Sequence, residues 1–217
     1  MLRSGPVVAL RELDTISPGG LLERLYVRND LLVTAQDPAG HTWWIPAAAV
    51  WLDVDGPGQP EHPRAIGLAT ATSRERALVA GLSDRLGWEA VKAFERGDDL
   101  PPAIAVTEPV PSDVVVLDGR LAHDVPTVVV MGDDFVRWGA GATWDGAVRR
   151  ALYGDDGNPH LAAELSQMAD MLAVRALGIV AVDLDTPLLR RAGIVRCTVQ
   201  LVASNGSGRA WYAPAVD

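Results

Sequence analysis

The sequence predicts a mixed α/β domain, and three observations lead there. Short β-branched runs alternate loosely with longer stretches at helical period. Clusters of Gly, Pro, Asn and Asp separate them. Hydrophobic residues make up 48% of the 217 residues and charged ones 22%, the balance of a chain with a buried core.

In order, residues 22–27, 31–35 and 42–45 read as strands, separated by Arg28-Asn29-Asp30 and a turn over 37–40. Residues 1–55 are therefore expected to be β-rich. The Gly- and Pro-rich stretch 56–63 reads as a surface loop inside one domain, 1–217, whose α/β part spans 64–217. Thr72 with Glu75 three residues on makes a capping-box pattern. Leu78, Leu82, Leu86, Ala90 and Phe94 then recur every four residues, one apolar stripe of a helix that Pro101-Pro102 closes. Residues 114–117 and 127–131 read as strands joined by a turn over 118–126. Gly139-Ala140-Gly141-Ala142 leads as a loop into a second helix over 144–153. Asn158-Pro159 opens a third, with Leu161, Leu165, Met168 and Leu172 on one face and Gly178 as its stop. Residues 179–184 and 196–203 read as buried strands. A turn over 204–208 returns 209–212 as a hairpin partner.

Composition excludes several function classes. A net charge of −9 argues against a nucleic-acid footprint. Cys197 is the single cysteine, which excludes an internal disulfide and a Cys-rich zinc or iron–sulfur site. No apolar run approaches the roughly 18 residues a membrane helix needs, and Arg11 and Glu12 interrupt the first apolar run, so no secretory signal is read and a cytoplasmic protein is expected. There is no Gly-rich loop ahead of Lys92, the only lysine, and so no P-loop. Gly206-Ser207-Gly208 belongs to a turn and not to a nucleophile elbow. His41, His62, His123 and His160 fall in expected loops or at a helix start and read as solvated. Asp113, Asp118, Asp124, Asp133 and Asp134 gather around His123 without the spacing of a calcium loop. Of seven tryptophans, Trp88 is the candidate for an exposed interface residue.

Three segments carry a more specific signal. The first has Ile45-Pro46-Ala47 and Val50-Trp51-Leu52, then Gly67-Leu68-Ala69 ahead of a helix with Glu75, Ala77-Leu78, Gly81-Leu82 and Ala90. The second has Val125-Pro126, Gly139-Ala140-Gly141-Ala142, Asp145, Ala147 and Arg150-Ala151-Leu152. The third has VAVDLDT over 180–186 and Ala192-Gly193-Ile194-Val195. In this order and spacing they resemble the YcaO family, which includes ATP-dependent enzymes that cyclise Cys, Ser or Thr residues of ribosomal peptides into azolines. The resemblance covers most of this chain and the C-terminal half of a full-length member, so a truncated YcaO-like fold is expected.

The resemblance implies ATP held through magnesium by glutamates on helices, because Mg²⁺ takes hard oxygen ligands in a tight octahedron. The family's Glu, Glu and Arg on one face of the first helix fall at Asp84, Gly87 and Trp88. In the second helix Arg150 matches the family arginine. The glutamate four residues on is Gly154, and the further Gln/Glu position is Gly157. These six are read as a vestigial nucleotide site, with no catalytic residue, metal ligand or cofactor assigned. Gly139 and Gly141 form a possible anion-binding loop at a helix N-terminus, with a packing role as the other reading. The Pro-x-Pro-x-Pro tail of heterocycle-forming members has one proline here, Pro214.

The expectation is a pseudoenzyme: a degenerate YcaO-like scaffold or partner subunit of an azole- or azoline-forming cyclodehydratase, working as a homodimer or as a heterodimer with a full-length YcaO protein or another cyclodehydratase subunit. One alternative is a divergent ATP-dependent cyclodehydratase using ATP and Mg²⁺ through Asp84, Glu89 and Arg150. Another is a leader-peptide-binding module that takes a precursor peptide by strand addition to a sheet edge.

Overall fold

The computed structural model describes residues 7–9, 31–40, 42–46, 50, 66–96, 102–121, 123–154, 157–204 and 210–212. Strands β1 (Val7–Ala9), β2 (Leu31–Gln36), β3 (Thr42–Pro46) and β4 (Leu68–Ala71) precede helix α1 (Arg74–Glu95). Strands β5 (Val115–Asp118), β6 (Thr127–Gly132) and β7 (Phe135–Ala140) lead into helices α2 (Trp144–Tyr153) and α3 (Leu161–Ala173). Strand β8 (Leu177–Asp183), the short helix α4 (Pro187–Arg191), β9 (Val195–Ser204) and β10 (Ala210–Tyr212) complete the order. The chain is mixed α/β, as expected. The expected strand at 22–27, the loop at 56–63, His41 and His62 lie outside the described residues.

Among the described residues every strand pairing is antiparallel. In the larger sheet β8 and β9 run together from Leu177↔Ala203 to Asp183↔Cys197. The other edge of β9 takes β4 near its start and β10 near its end, so the expected hairpin return is present, with Trp211 opposite Ala203. Strand β2 meets β8 at Gln36↔Ala181 and also pairs with β1 and β3. The smaller sheet is the meander β5-β6-β7.

Helix α1 packs on both sheets, and its stripe explains why. Leu78, Leu82 and Leu86 are buried with Ile179, Cys197 and Val199 of the larger sheet. One turn further, Ala90 and Val91 are buried with Leu117 and Val129 of the smaller one. The cap differs from the expectation by one residue. Ser73, with extended backbone, accepts the Arg76 N–H on its Oγ at 3.2 Å, so Thr72 stands outside the helix. A hydroxyl reaches the open N–H groups of the first turn only from the residue that flanks it.

Three further expectations are corrected. Strand β7 replaces the loop expected to include Gly139 and Ala140. Asp133-Asp134 form a two-residue hairpin turn between the pair Gly132↔Phe135, so the acidic residues read as a cluster are a connection. Gly178 does not stop α3: the helix ends at Ala173, Ala176 takes the left-handed conformation (φ 55°), and Gly178 lies in β8. Helix α4 was not foreseen, although its signal is local: Thr186 caps the Leu189 N–H and Pro187 opens the first turn. Among the described residues no helix is long and apolar enough to cross a membrane.

Candidate functional site

The positions singled out on α1 face β7. Asp84 accepts the Gly67 N–H on Oδ2 at 2.9 Å and the Trp138 indole N–H on Oδ1 at 3.0 Å. Each carboxylate oxygen thus holds a segment against the helix. Gly67 needs its glycine twice over, with φ at +80° and Val199 O in the place of a side chain. Gly87 is hemmed in by a side chain: a Cβ there would stand 2.7 Å from both Cβ and Cγ of Trp138. Trp88 is half-buried and not an exposed surface ring. It tilts 58° against Trp138 at 5.7 Å, with Lys92 Nζ 5.7 Å from its centroid. Glu89 pairs with the buried Arg85 at 2.8 Å.

Arg150 belongs to a second cluster, between α2 and α3. Its guanidinium, 7% exposed, meets Glu164, 5% exposed, through Nη2 at 3.0 and 3.1 Å and Nη1 at 3.1 Å, and Nη1 also donates to Ala140 O. Glu164 further accepts from Asn158 Nδ2 at 2.9 Å and from the Ala142 N–H at 3.3 Å. The Ala140 N–H donates to Ser83 Oγ at 2.7 Å. The last residue of β7 is therefore held from α1 on one side and from α2 on the other. Buried charge is tolerated here because it is paired in a fork and its lone pairs are filled.

Gly139, near the end of β7, and Gly141 just beyond it sit inside this packing. A Cβ at Gly139 would stand 2.7 Å from Ala151 N, and one at Gly141 would be 3.1 Å from Arg150 Nη1 and Glu164 Oε1. The Gly141 N–H donates to Pro126 O at 3.0 Å, and Thr143 Oγ1 takes the Gly146 N–H at 3.1 Å. Gly154 is the left-handed C-cap of α2 (φ 80°), and Gly157 has open space around it. Arg150 and Gly154 line a cleft of about 390 Å³ with Thr70, Thr72, Arg76 and Leu161. Asp84, Gly87 and Trp88 do not line that cleft.

The acidic group around 113–134 disperses. Burial pushes the Asp118 carboxyl up, but hydrogen bonds from the Arg120 side chain and backbone outweigh it and hold it below the ordinary carboxylate range. Asp124 pairs with Arg175 at 3.2 Å. Among the described residues no group of three or more His, Cys, Asp or Glu side chains is placed to hold a metal ion. His123 is not solvated: it is 6% exposed, among the described residues neither ring nitrogen has a partner at full hydrogen-bond geometry, and burial pushes its pKa down. Cys197 is buried, and that burial pushes its thiol up to about 12, which leaves it an unreactive core residue. Glu164, Asn158, Ser83 and Trp138 escaped the sequence reading as members of these clusters. Only Asn158, beside a proline at a helix start, carries a local signal.

Solved structures share this fold. A heterocyclase in complex with substrate and cofactor matches with a TM-score of 0.55 at 13% identity, over 79% of this chain and 32% of its own. A YcaO protein from Methanopyrus kandleri bound with AMPPCP and Mg²⁺ matches with a TM-score of 0.56 at 17% identity, over 86% of this chain and 69% of its own. The heterocyclase TruD gives 0.54 at 14%, over 97% and 40%. The chain thus spans about a third of the first and two fifths of the third. No protein-family model and no curated protein matches it. The fold is YcaO-like.

Proposed function

We propose that this YcaO-like chain is a catalytically degenerate relative of the cyclodehydratases, acting as scaffold or partner subunit of an azoline-forming enzyme on ribosomal peptides. The observation that carries the reading is the contact of Gly87 with Trp138. Where the family pattern has a glutamate, the indole stands 2.7 Å from where even a Cβ would go. Side chains in packed interiors do not yield that much space without moving the backbone.

Among the described residues, those at the family's positions are poorly suited to a magnesium-bridged triphosphate. Mg²⁺ requires several hard oxygen donors at about 2.0–2.1 Å. Asp84 already accepts one hydrogen bond on each oxygen, and glycines at 87, 154 and 157 supply no ligand atom. Arg150, which matches the family arginine, is engaged by Glu164 and Ala140 O. The divergent-enzyme reading has no specific support: Glu89 is paired with Arg85, and Arg150 with Glu164. In the proposed role the partner is a second copy, a full-length YcaO protein or another cyclodehydratase subunit.

Calorimetry with ATP and Mg²⁺ tests this directly. The isolated chain is expected to give no binding heat up to about 1 mM nucleotide, equivalent to less than about 4 kcal/mol of affinity. Micromolar binding would sink the pseudoenzyme reading. Retention of a cyclodehydratase subunit on the tagged chain is the expected positive result.

A further inference from the structure

We infer that residues 102–107 form a docking edge for an extended polypeptide that carries a lysine or arginine, a reading that stands apart from the scaffold assignment. This segment lies antiparallel to β5. The Ile104 N–H donates to Val116 O at 2.9 Å and the Asp118 N–H to Pro102 O at 3.1 Å, on either side of the bridge Ala103↔Leu117. In such a ladder residues 102 and 104 turn their main-chain groups toward β5, and Ala103 turns its N–H and C=O away. The two-residue period of an extended chain repeats this at Ala105. Side-chain exposure alternates in step, with 103, 105 and 107 exposed and 104 and 106 half-buried. Among the described residues neither Ala103 nor Ala105 has a main-chain partner on that outer side.

An unpaired edge is a template for another strand, and prolines are one device that keeps it short. Here Pro102, Pro109 and Pro111 bracket a window of about six residues, the length of a short peptide address. Beside it runs an open groove of about 710 Å³, lined by this segment, by Asp118 and Arg120, and by Thr143, Trp144 and Asp145 at the start of α2. Ile104, Val106 and Trp144 supply apolar wall from one cluster.

The charges select the occupant. Arg120 is matched to Asp118 at 2.6 Å and lies over the Trp144 ring, 4.8 Å from its centroid. Asp145 accepts the Thr107 hydroxyl at 2.6 and 2.7 Å, and among the described residues no cation pairs with it. A Lys or Arg side chain from an added strand lays its methylenes along the apolar wall and sets its head at Asp145. A second copy of this chain would offer only alanines and a threonine from the same edge, with nothing to fill the groove or to meet Asp145. Main-chain pairing then supplies the affinity, and the groove supplies the preference for a basic residue.

The probe is an acetylated, amidated seven-residue peptide of alternating lysine and valine, titrated into the full chain and followed by amide NMR. The expected result is saturable binding with at least tenfold slower hydrogen exchange at the Ala103 and Ala105 amides. A glutamate–valine peptide is expected to bind at least tenfold more weakly. So is a lysine–valine peptide N-methylated on alternate residues at the pairing amides. The double variant Ala103→Pro with Ala105→Pro removes outward N–H groups that no described main-chain group accepts, and should abolish binding while melting within a few degrees of the parent. If that variant does not fold, the N-methylated peptide carries the test. Any of three results overturns the proposal: no binding at 1 mM probe, binding indifferent to N-methylation, or binding indifferent to the exchange of lysine for glutamate. Concentration-dependent protection of both amides without peptide would assign the edge to a second copy and overturn it equally.

Discussion

Replacing Gly87 by alanine sets two effects of opposite sign against each other. Alanine favours a helix interior over glycine by about 1 kcal/mol. Overpacking a tight contact costs about 1–3 kcal/mol, and the atoms in the way are Cβ and Cγ of Trp138, the stiff root of that side chain. Packing should win, so Gly87→Ala is expected to destabilise by about 1 kcal/mol in denaturant unfolding. In the Trp138→Ala background the same change should turn stabilising. A stabilising effect in the parent would mean that the indole does not hold the position. His123 poses a residue-scale question about pH. Burial pushes its pKa below the ordinary 6.5, with the nearby Arg120 acting in the same direction and Asp118, Asp124 and the Val125 backbone opposing. The unfolded chain therefore takes up the proton first. The stability contributed by the neutral buried ring is present above pH 6.5 and is lost as pH falls through the lower folded value. Urea midpoints at about pH 7.5 and about pH 5 should fall further for the parent than for His123→Gln. Equal falls would assign the acid sensitivity to other groups.

At the scale of elements, the pair Arg150–Glu164 joins α2 to α3 and also fastens the end of β7. Removing one member of a buried ion pair strands the other, at a cost of about 3–5 kcal/mol. Glu164→Gln is expected to lose about 3 kcal/mol, because the amide leaves the guanidinium without a counter-charge. The double change Arg150→Met with Glu164→Leu should lose clearly less. If the single and the double change cost the same, the pair is not what links the helices. Element types at this scale were largely legible. The four-residue stripe from Leu78 to Ala90 marked α1, and the apolar runs marked β8 and β9. The misses have local causes. β7 was hidden because its Gly and Ala end resembles a loop, and the helix stop was misplaced because Ala176 takes a left-handed conformation that sequence assigns to glycine.

At the scale of the whole molecule, α1 belongs to two cores at once: its first turns serve the larger sheet and its last turns the smaller. Without it Ile179, Cys197 and Val199 of the larger sheet and Leu117 and Val129 of the smaller lose a packing partner, while α2 covers Val116, Val128 and Val130. The chain should therefore unfold in one transition, with tryptophan fluorescence and far-UV circular dichroism giving coincident denaturant curves. Two separated midpoints would show that the sheets hold together independently.

The sequence by itself determined the mixed α/β class, the three main helices, the C-terminal hairpin and the glycines at 87, 154 and 157, which carry no ligand atom. These are matters of periodicity, turn chemistry and residue type, which act over a few neighbours. Only the tertiary structure decided that Asp84 is engaged on both oxygens, that Glu164 is the partner of Arg150, and that His123 is buried. Those outcomes depend on atoms brought together across the chain, as with Asp84 and Trp138, 54 residues apart. A carboxylate's availability is set by which donors reach it in space, and no local pattern records that.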